Sequence, residues 1–188
     1  MAEADRTRRI EGFVFLLAFT ACVPAANFMI GNIGTVCVPN GPCLIPVGFG
    51  LTAPSGVLLV GLALVLRDLV QRRLGLAWSI GAILVGGLLS TTFTAPSLAV
   101  ASASAFLASE LADLFVFTPL QRKGLIVAAL CSSVVGLIVD SAMFLWLAFG
   151  SLDFLTGQIL GKSIMVFASL PFLFLLRKRD RKLGLYPA

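Results

Sequence analysis

The sequence predicts an all-α integral membrane protein with six transmembrane helices in a single domain, residues 1–188. Hydrophobic residues make up 59% of the chain and charged residues only 12%. Soluble domains carry roughly 25% charged residues, so the composition excludes that class. Apolar runs of about 20 residues, the length that crosses a bilayer, recur along almost the whole chain. Little sequence remains for a soluble domain or a linker.

Six apolar segments are the predicted spans. Their approximate bounds are residues 12–32, 47–70, 76–94, 97–119, 124–149 and 154–176. The first segment is too long for a removed signal peptide and lacks a small-residue cleavage site, so we expect it to remain as a span.

The basic residues lie at alternate junctions between these segments. They precede the first segment, follow the second, separate the fourth from the fifth and follow the sixth. Because cytoplasmic loops are enriched in Lys and Arg, this pattern predicts a multi-pass inner (plasma) membrane protein with both termini cytoplasmic. The basic residues behind the net charge of +5 are therefore assigned to loops at the membrane surface. The expected partner is the lipid bilayer, and no nucleic-acid partner is expected.

The four cysteines fall into two groups. Cys22 and Cys131 lie in predicted spans and are interpreted as small apolar residues. Cys37 and Cys43 bracket a turn-forming Pro-Asn-Gly-Pro sequence in a loop assigned to the outside. In an oxidising periplasm this loop would carry a disulfide. Two unpaired thiols in a re-entrant loop explain the spacing equally well.

Four charged side chains lie well inside predicted spans. Each would cost roughly 2.5 to 3.5 kcal/mol near a helix centre, and all four together on the order of 10 kcal/mol. They must therefore be partnered, protonated or hydrated. These residues are Glu110, Asp113, Asp140 and Lys162.

Their depths in the membrane predict two ion pairs. At about 1.5 Å per helical residue, Asp140 and Lys162 both lie roughly 10 Å below the outer surface. Arg67 and Asp113 reach similar depths near the opposite face, although Asp68 competes for Arg67. Ion pairs of this kind are explained by helix packing at least as well as by ligand contact.

Glu110 is then the acid without an obvious cationic partner, which favours a functional role for it. Ser102, Phe106, Glu110 and Asp113 follow the spacing i, i+4, i+8 and i+11, which places them on one face of the fourth helix. Because lipid does not solvate polar groups, this face is expected to line the interior of the bundle.

Two other spans contribute polar groups. Gln158 and Lys162 are one turn apart on the sixth span, beside a Gly157-x-x-x-Gly161 pattern that lets a neighbouring backbone approach closely. Asn27 lies near the outer end of the first span. These groups can converge with Glu110 only inside the bundle.

Several kinds of function are disfavoured. The chain has no histidine and no acid cluster with metal-ligand spacing, so neither a zinc site nor histidine acid–base catalysis is expected. It also lacks a P-loop. We therefore expect no enzyme and no cofactor. A channel is disfavoured because selectivity filters use rings of charged groups, whereas these acids occur singly and lie at different depths. Binding and translocation of a small polar molecule is the leading class.

Four motifs occur in order along the chain. They are Ala53-Pro54-Ser55-Gly56 with Arg67-Asp68, then Ser109-Glu110-Leu111-Ala112-Asp113, Val139-Asp140-Ser141 and Gly157-Gln158-Ile159-Leu160-Gly161-Lys162. Together they resemble the putative vitamin uptake transporter family, whose characterised members are queuosine-precursor transporters. The resemblance extends over roughly residues 13–176.

This resemblance implies a six-helix fold similar to the substrate-binding subunits of energy-coupling-factor vitamin importers, working without an ATPase partner. It also implies a small heterocyclic base as substrate, a 7-deazaguanine such as 7-cyano-7-deazaguanine. A carboxylate can accept hydrogen bonds from the adjacent N1–H and amino group of such a base, and we assign Glu110 to this edge. The other candidate substrate-binding residues are Asn27, Arg67, Phe106, Asp113, Asp140, Gln158 and Lys162, with Phe144 and Trp146 as further stacking candidates.

Some alternatives stay open at this point. Glu110 could carry a proton, but facilitated diffusion with intracellular trapping of the base needs no coupling. The chain could instead be a substrate-binding subunit of an ATP-driven vitamin importer, or a non-transporting membrane scaffold. A homodimer through a small-residue helix face is compatible with the sequence but marked by no distinctive signal.

Overall fold

The computed structural model describes the backbone of residues 2–39, 41–91 and 96–185. Within these ranges the chain forms six helices and one small sheet. The helices are α1 (Ala2–Asn32), α2 (Val57–Leu74), α3 (Leu76–Leu89), α4 (Pro96–Leu120), α5 (Leu125–Phe149) and α6 (Leu155–Leu183). The sheet lies between α1 and α2 and contains β1 (Val36–Cys37), β2 (Cys43–Gly48) and β3 (Leu51–Pro54).

The six predicted helices are present, and the described part of the chain contains four that are long and apolar enough to cross a membrane. These four are Asp5–Asn32, Leu98–Leu120, Leu125–Phe149 and Leu155–Leu183. Of the other two, α2 carries four charged residues, and α3 has 14 residues, a length of about 21 Å. These helices support the prediction of a multi-pass membrane protein.

The prediction of a second span that begins at residue 47 is wrong at its start. Residues 43–48 and 51–54 form the antiparallel strands β2 and β3, and the helix begins only at Val57. The turn between the strands contains Gly48, Phe49 and Gly50, all with positive φ, which a continuous helix does not allow. The all-α prediction therefore omitted a sheet, because an apolar run alone does not distinguish a strand from a helix.

Other boundaries also differ. Helix α1 begins at Ala2, before the predicted residue 12, and α6 extends to Leu183 rather than 176. The third predicted span, 76–94, ends earlier, because α3 stops at Leu89. Residues 92–94 of that prediction lie outside the described residues.

A disulfide closes the first hairpin of the sheet. Cys37 of β1 and Cys43 of β2 are directly paired across the antiparallel strands, with their Cα atoms 3.9 Å apart and their sulfurs bonded. The structure thus supports the disulfide rather than the two free thiols. Cys22 is buried and free, as expected of a small apolar residue in a span.

One end of the bundle gathers the basic residues, and we call it the basic end. Arg73 at the end of α2 lies 2.9 Å from Glu11 of α1 and 2.7 Å from Asp180 of α6. Arg72 also contacts Asp180, at 3.1 Å. The start of α1 and the end of α6 therefore lie at the same end, as an even number of crossings requires.

Glycines bring the sheet, α2 and α6 into close contact at the opposite end. A Cβ added at Gly157 would lie 2.1 Å from the carbonyl oxygen of Thr52, and one at Gly161 would lie 2.8 Å from a methyl carbon of Val57. A Cβ at Gly61 of α2 would lie 2.7 Å from the backbone oxygen of Lys162. The close approach predicted for the Gly157-x-x-x-Gly161 pattern is confirmed, and its partners are β3 and the start of α2.

Candidate functional site

A cavity lies inside the bundle, in the half nearer the sheet, and we call it the chamber. It has a volume of about 50 Å³ and is lined by residues from α1, α2, α4, α5 and α6, together with Pro54 and Ser90. Its polar lining consists of Asn27, Ser90, Ser102, Ser109, Glu110, Asp140, Gln158 and Lys162. The remaining lining residues are apolar apart from the thiol of Cys22.

The structure places most of the predicted site residues around this chamber. Six of the eight line it: Asn27, Phe106, Glu110, Asp140, Gln158 and Lys162. Arg67 and Asp113 are not among the lining residues. They lie behind Glu110, in a buried ionic cluster that includes it.

Arg67 is fully buried and contacts three acids. Its Nε donates to Glu110 Oε2 at 3.2 Å, and its Nη2 lies 2.9 Å from both Asp68 Oδ1 and Asp113 Oδ2. Its Nη1 donates to Gln71 Oε1 at 3.0 Å. The predicted pairing with Asp113 is confirmed. The expectation that Glu110 has no cationic partner is wrong, because one guanidinium with five N–H donors serves several acids at once.

The two oxygens of Glu110 have different surroundings. Oε2 is held by Arg67, whereas no residue in the described ranges donates a hydrogen bond to Oε1. Since Glu110 lines the chamber, this leaves one acceptor for a ligand. The contact with Arg67 holds the carboxylate in place while leaving that acceptor unused.

Lys162 forms a second buried cluster. Its Nζ donates to Asp140 Oδ2 at 2.5 Å, to Gln158 Oε1 at 2.6 Å and to Ser141 Oγ at 2.7 Å. The predicted pair with Asp140 is confirmed. Because an ammonium group has three hydrogens, all of its donors are engaged within the protein in this state.

A third polar group closes the chamber near α1. The side-chain amide of Asn27 donates to the backbone oxygen of Ser90 at 2.7 Å, and Ser102 Oγ donates to Asn27 Oδ1 at 3.1 Å. These bonds join α1, the end of α3 and α4. The role of Ser90 was not predicted, because no spacing rule connects it to Asn27 along the sequence.

Ser109 was also not assigned to the site from sequence. Its hydroxyl lies 3.5 Å from Asp140 Oδ1 and lines the chamber next to Glu110. Ser102 and Ser109 are seven residues apart, two helical turns, and therefore share a face of α4. This spacing could have indicated from the sequence that Ser109 lies on the same face as Ser102. Gly136 lets α5 pack closely against α4, since a Cβ at this position would lie 3.1 Å from Asp113 Cβ.

Two of the three aromatic candidates line the chamber. Phe106 and Phe144 are both buried and contribute to its wall. The ring of Phe106 packs against Phe19, with ring centroids 6.1 Å apart. Trp146 does not line the chamber and is 62% exposed, so its proposed stacking role is wrong. Its ring points away from the bundle, where lipid would contact it.

The two clusters have an unequal number of charges. Arg67 and Lys162 are the cations; Arg67 contacts three acids and Lys162 contacts one, and all six residues are less than one-tenth exposed. These acids are Asp68, Glu110, Asp113 and Asp140. A surplus of two formal negative charges results, and burial makes an uncompensated charge costly. Protons or the donor groups of a ligand can supply this compensation. The described residues form no grouping suited to a metal ion.

Comparison with known proteins adds a family resemblance. Residues 87–176, just under half of the chain, match the family model described as putative vitamin uptake transporter. The match supports a membrane transporter. It also suggests a non-enzymatic role, and it includes the chamber residues of α4, α5 and α6 while α1 and α2 precede it. Comparisons with curated proteins and with solved structures gave no match.

Proposed function

We propose that the protein imports a queuosine precursor, 7-cyano-7-deazaguanine or a related 7-deazaguanine, into the cytoplasm through this chamber. The observation that carries the proposal is Glu110, a buried carboxylate in the chamber wall with one oxygen held by Arg67 and the other without a described donor. The proposal places the chain in the inner membrane with both termini cytoplasmic. It requires no ATPase partner, in a fold similar to the substrate-binding subunits of energy-coupling-factor importers.

The chemistry of the base complements the acidic lining. A guanine-like base presents N1–H and an amino group side by side, and the two lone pairs of Glu110 Oε1 can accept both while Oε2 stays bonded to Arg67. Binding these donors would offset part of the surplus negative charge beside Arg67. Gln158 and Asn27 supply amide groups at the rim, and Lys162 could reach the carbonyl oxygen of the base only by giving up one of its present bonds.

The chamber is smaller than the proposed cargo requires. Its volume of about 50 Å³ is well below the roughly 300 to 1,000 Å³ of typical ligand pockets. Such a cavity has room for only about four water molecules. A bicyclic base therefore enters only when side chains or helices move, and Phe106 and Phe144 are the largest apolar side chains in the wall.

The test compares Glu110→Gln with wild type. An amide at this position keeps the shape and an oxygen to accept from Arg67, but it offers less negative charge and fewer acceptor sites to the base. We expect binding of 7-cyano-7-deazaguanine, measured by thermal stabilisation of the purified protein, to fall at least about tenfold because a paired charge-assisted contact is lost. Asp153→Asn, an exposed carboxylate outside the chamber, is the control and should bind like wild type. Undiminished binding by Glu110→Gln would rule out the assignment.

A scaffold without transport activity is the second candidate. It is favoured by one observation, the engagement of all three Lys162 hydrogens within the protein. A screen of deazaguanines, purines and vitamins for thermal stabilisation separates the two, because a ligand that prefers the folded state must raise apparent stability. A substrate-binding subunit of an ATP-driven importer would also respond, but its uptake would depend on a co-purifying ATPase module.

A further inference from the structure

A second pocket lies at the basic end of the bundle, far along the helices from the chamber. It has a volume of about 670 Å³ and is formed by the ends of α2 and α6 and the turn between α4 and α5. Five basic side chains line it: Arg72, Arg122, Lys123, Arg177 and Arg181. Asp180 is the one acid among its described lining residues. We call this cavity the basic pocket.

The positive charge of the basic pocket is not balanced within the described chain. Asp180 is shared between Arg72, at 3.1 Å, and Arg73, at 2.7 Å, so its charge is already matched. The other four basic residues of the pocket form no ion pair with any residue in the described ranges. Four like charges that converge on one cavity repel each other, and a bound anion would relieve this repulsion.

The backbone adds donors at the same place. Helix α5 begins at Leu125, and Gly124 before it provides no side-chain cap. Both residues line the basic pocket. The uncapped amide groups of the first turn therefore supplement the basic side chains as hydrogen-bond donors to an anion.

An apolar groove continues from the basic pocket along α6. This groove, of about 500 Å³, has Pro171, Phe174 and Leu175 as its apolar lining. Lys178 also lines it, and it shares Arg177 and Arg181 with the basic pocket. Phe174 is 54% exposed and Leu175 68% exposed. A free phosphate ion would gain nothing from contact with an apolar groove. An amphiphile with an anionic head and a hydrocarbon chain would occupy both the basic pocket and the groove.

We propose that the basic pocket and the adjoining groove bind an anionic phospholipid. The phosphate lies among the basic side chains and the first amide groups of α5, and an acyl chain lies along Phe174 and Leu175. Basic pockets between helices at one face of a membrane bind anionic head groups in this way. The site would hold the ends of α2 and α6 and the α4–α5 turn together, independently of the cargo.

The experiment uses purified, delipidated full-length protein and three probes: phosphatidylglycerol, phosphatidylcholine and glycerol 3-phosphate. Native mass spectrometry measures retained lipid, and thermal unfolding measures stabilisation. We expect phosphatidylglycerol to be retained and to raise the melting temperature, whereas phosphatidylcholine and glycerol 3-phosphate have little effect. Equal effects of the two lipids would overturn the proposal, and glycerol 3-phosphate acting as well as phosphatidylglycerol would assign the site to free phosphate compounds instead.

A pair of double variants tests the location. Arg122→Gln with Lys123→Gln removes two exposed charges of the basic pocket and should weaken phosphatidylglycerol binding roughly tenfold or more. Arg6→Gln with Lys182→Gln removes two exposed charges that do not line it, and should bind nearly as wild type. Equal losses in both variants would mean a general surface attraction and no site. Arg181→Gln, at the junction of pocket and groove, should also weaken binding, and wild-type binding by this variant would contradict the proposed head-group position.

Discussion

Arg67 donates from Nε to Glu110 Oε2 at 3.2 Å, and this bond joins the wall of the chamber to the acid cluster behind it. The same guanidinium lies 2.9 Å from Asp113 and from Asp68. A ligand that draws on the charge of Glu110 therefore also changes what Arg67 shares with the other two acids. Glu110 in the chamber wall and the ionic contact between α2 and α4 are parts of one network.

Removal of Arg67 should be among the most damaging single changes in the protein. In Arg67→Gln, three buried acids lose their cation, and breaking a buried ion pair in this way costs about 3 to 5 kcal/mol. We expect a loss of that order in the free energy of unfolding in detergent. Arg9→Gln removes an exposed arginine that pairs only with Asp5 in the described structure, and should change stability by less than about 1 kcal/mol. A variant at Arg67 as stable as the Arg9 control would show that the acids are compensated in another way.

The pair of Asp140 and Lys162 can be tested by a double-mutant cycle. Asp140→Asn leaves a buried ammonium group without its acid, and Lys162→Met leaves a buried acid without its cation. Each single variant should lose about 3 to 5 kcal/mol of unfolding free energy, and the double variant should lose clearly less than the sum. The recovery will be partial, because Lys162 also donates to Gln158 and Ser141. Additive losses would mean that the two groups do not interact energetically.

Gly157 and Gly31 form a matched pair for the contact between α6 and the sheet. A Cβ at Gly157 would lie 2.1 Å from the backbone oxygen of Thr52, whereas a Cβ at Gly31 meets nothing within 4 Å. Gly157→Ala should therefore force α6 away from β3 and lower the free energy of unfolding by about 1 to 3 kcal/mol. Gly31→Ala should be neutral or stabilising by up to about 1 kcal/mol. Equal melting temperatures for the two variants would contradict the close packing of β3 on α6.

The sequence predicted contacts better than it predicted local structure near the loop. Depth along the helices correctly paired Asp140 with Lys162 and Arg67 with Asp113, because buried charges at one level have few other partners. The same reasoning assigned one acid to each cation, and so it missed the bond between Arg67 and Glu110. Only the three-dimensional position of a guanidinium shows how many acids it reaches.

The sheet was missed for a different reason. Hydropathy measures how apolar a segment is but not which hydrogen bonds its backbone makes, so residues 47–54 were added to the second helix. Positive φ angles at Gly48 and Gly50 and the pairing of β2 with β3 decide the matter in the structure. Trp146 was also named with Phe144 as a stacking candidate, although residues two apart on a helix do not share a face.

The disulfide between Cys37 and Cys43 gives a prediction at the sheet. The bond closes a short loop with a sequence separation of 6, for which loop-closure entropy alone gives about 2 kcal/mol. We expect alkylation of the purified protein under non-reducing conditions to modify neither cysteine, and reduction to expose both to the reagent. Mass spectrometry reads this directly, with buried Cys22 as an internal reference that should resist alkylation in the folded state in both conditions. The free, exposed thiol of Cys131 is expected to react in both conditions, so alkylation at Cys37 and Cys43 themselves in the unreduced protein would contradict the bond.

The surplus of acids in the two buried clusters predicts proton-coupled uptake. Arg67 and Lys162 are the cations that the described residues place against the four buried carboxylates. We therefore expect protons to neutralise part of the remaining negative charge, and this compensation to change as cargo enters and leaves. A pH gradient, acidic outside, should therefore raise the initial rate and the plateau of 7-cyano-7-deazaguanine uptake into proteoliposomes. Asp113→Asn removes one acid that does not line the chamber, and we expect it to bind the base but to respond less to the gradient. Identical rates and plateaus with and without the gradient in wild type would rule out proton coupling.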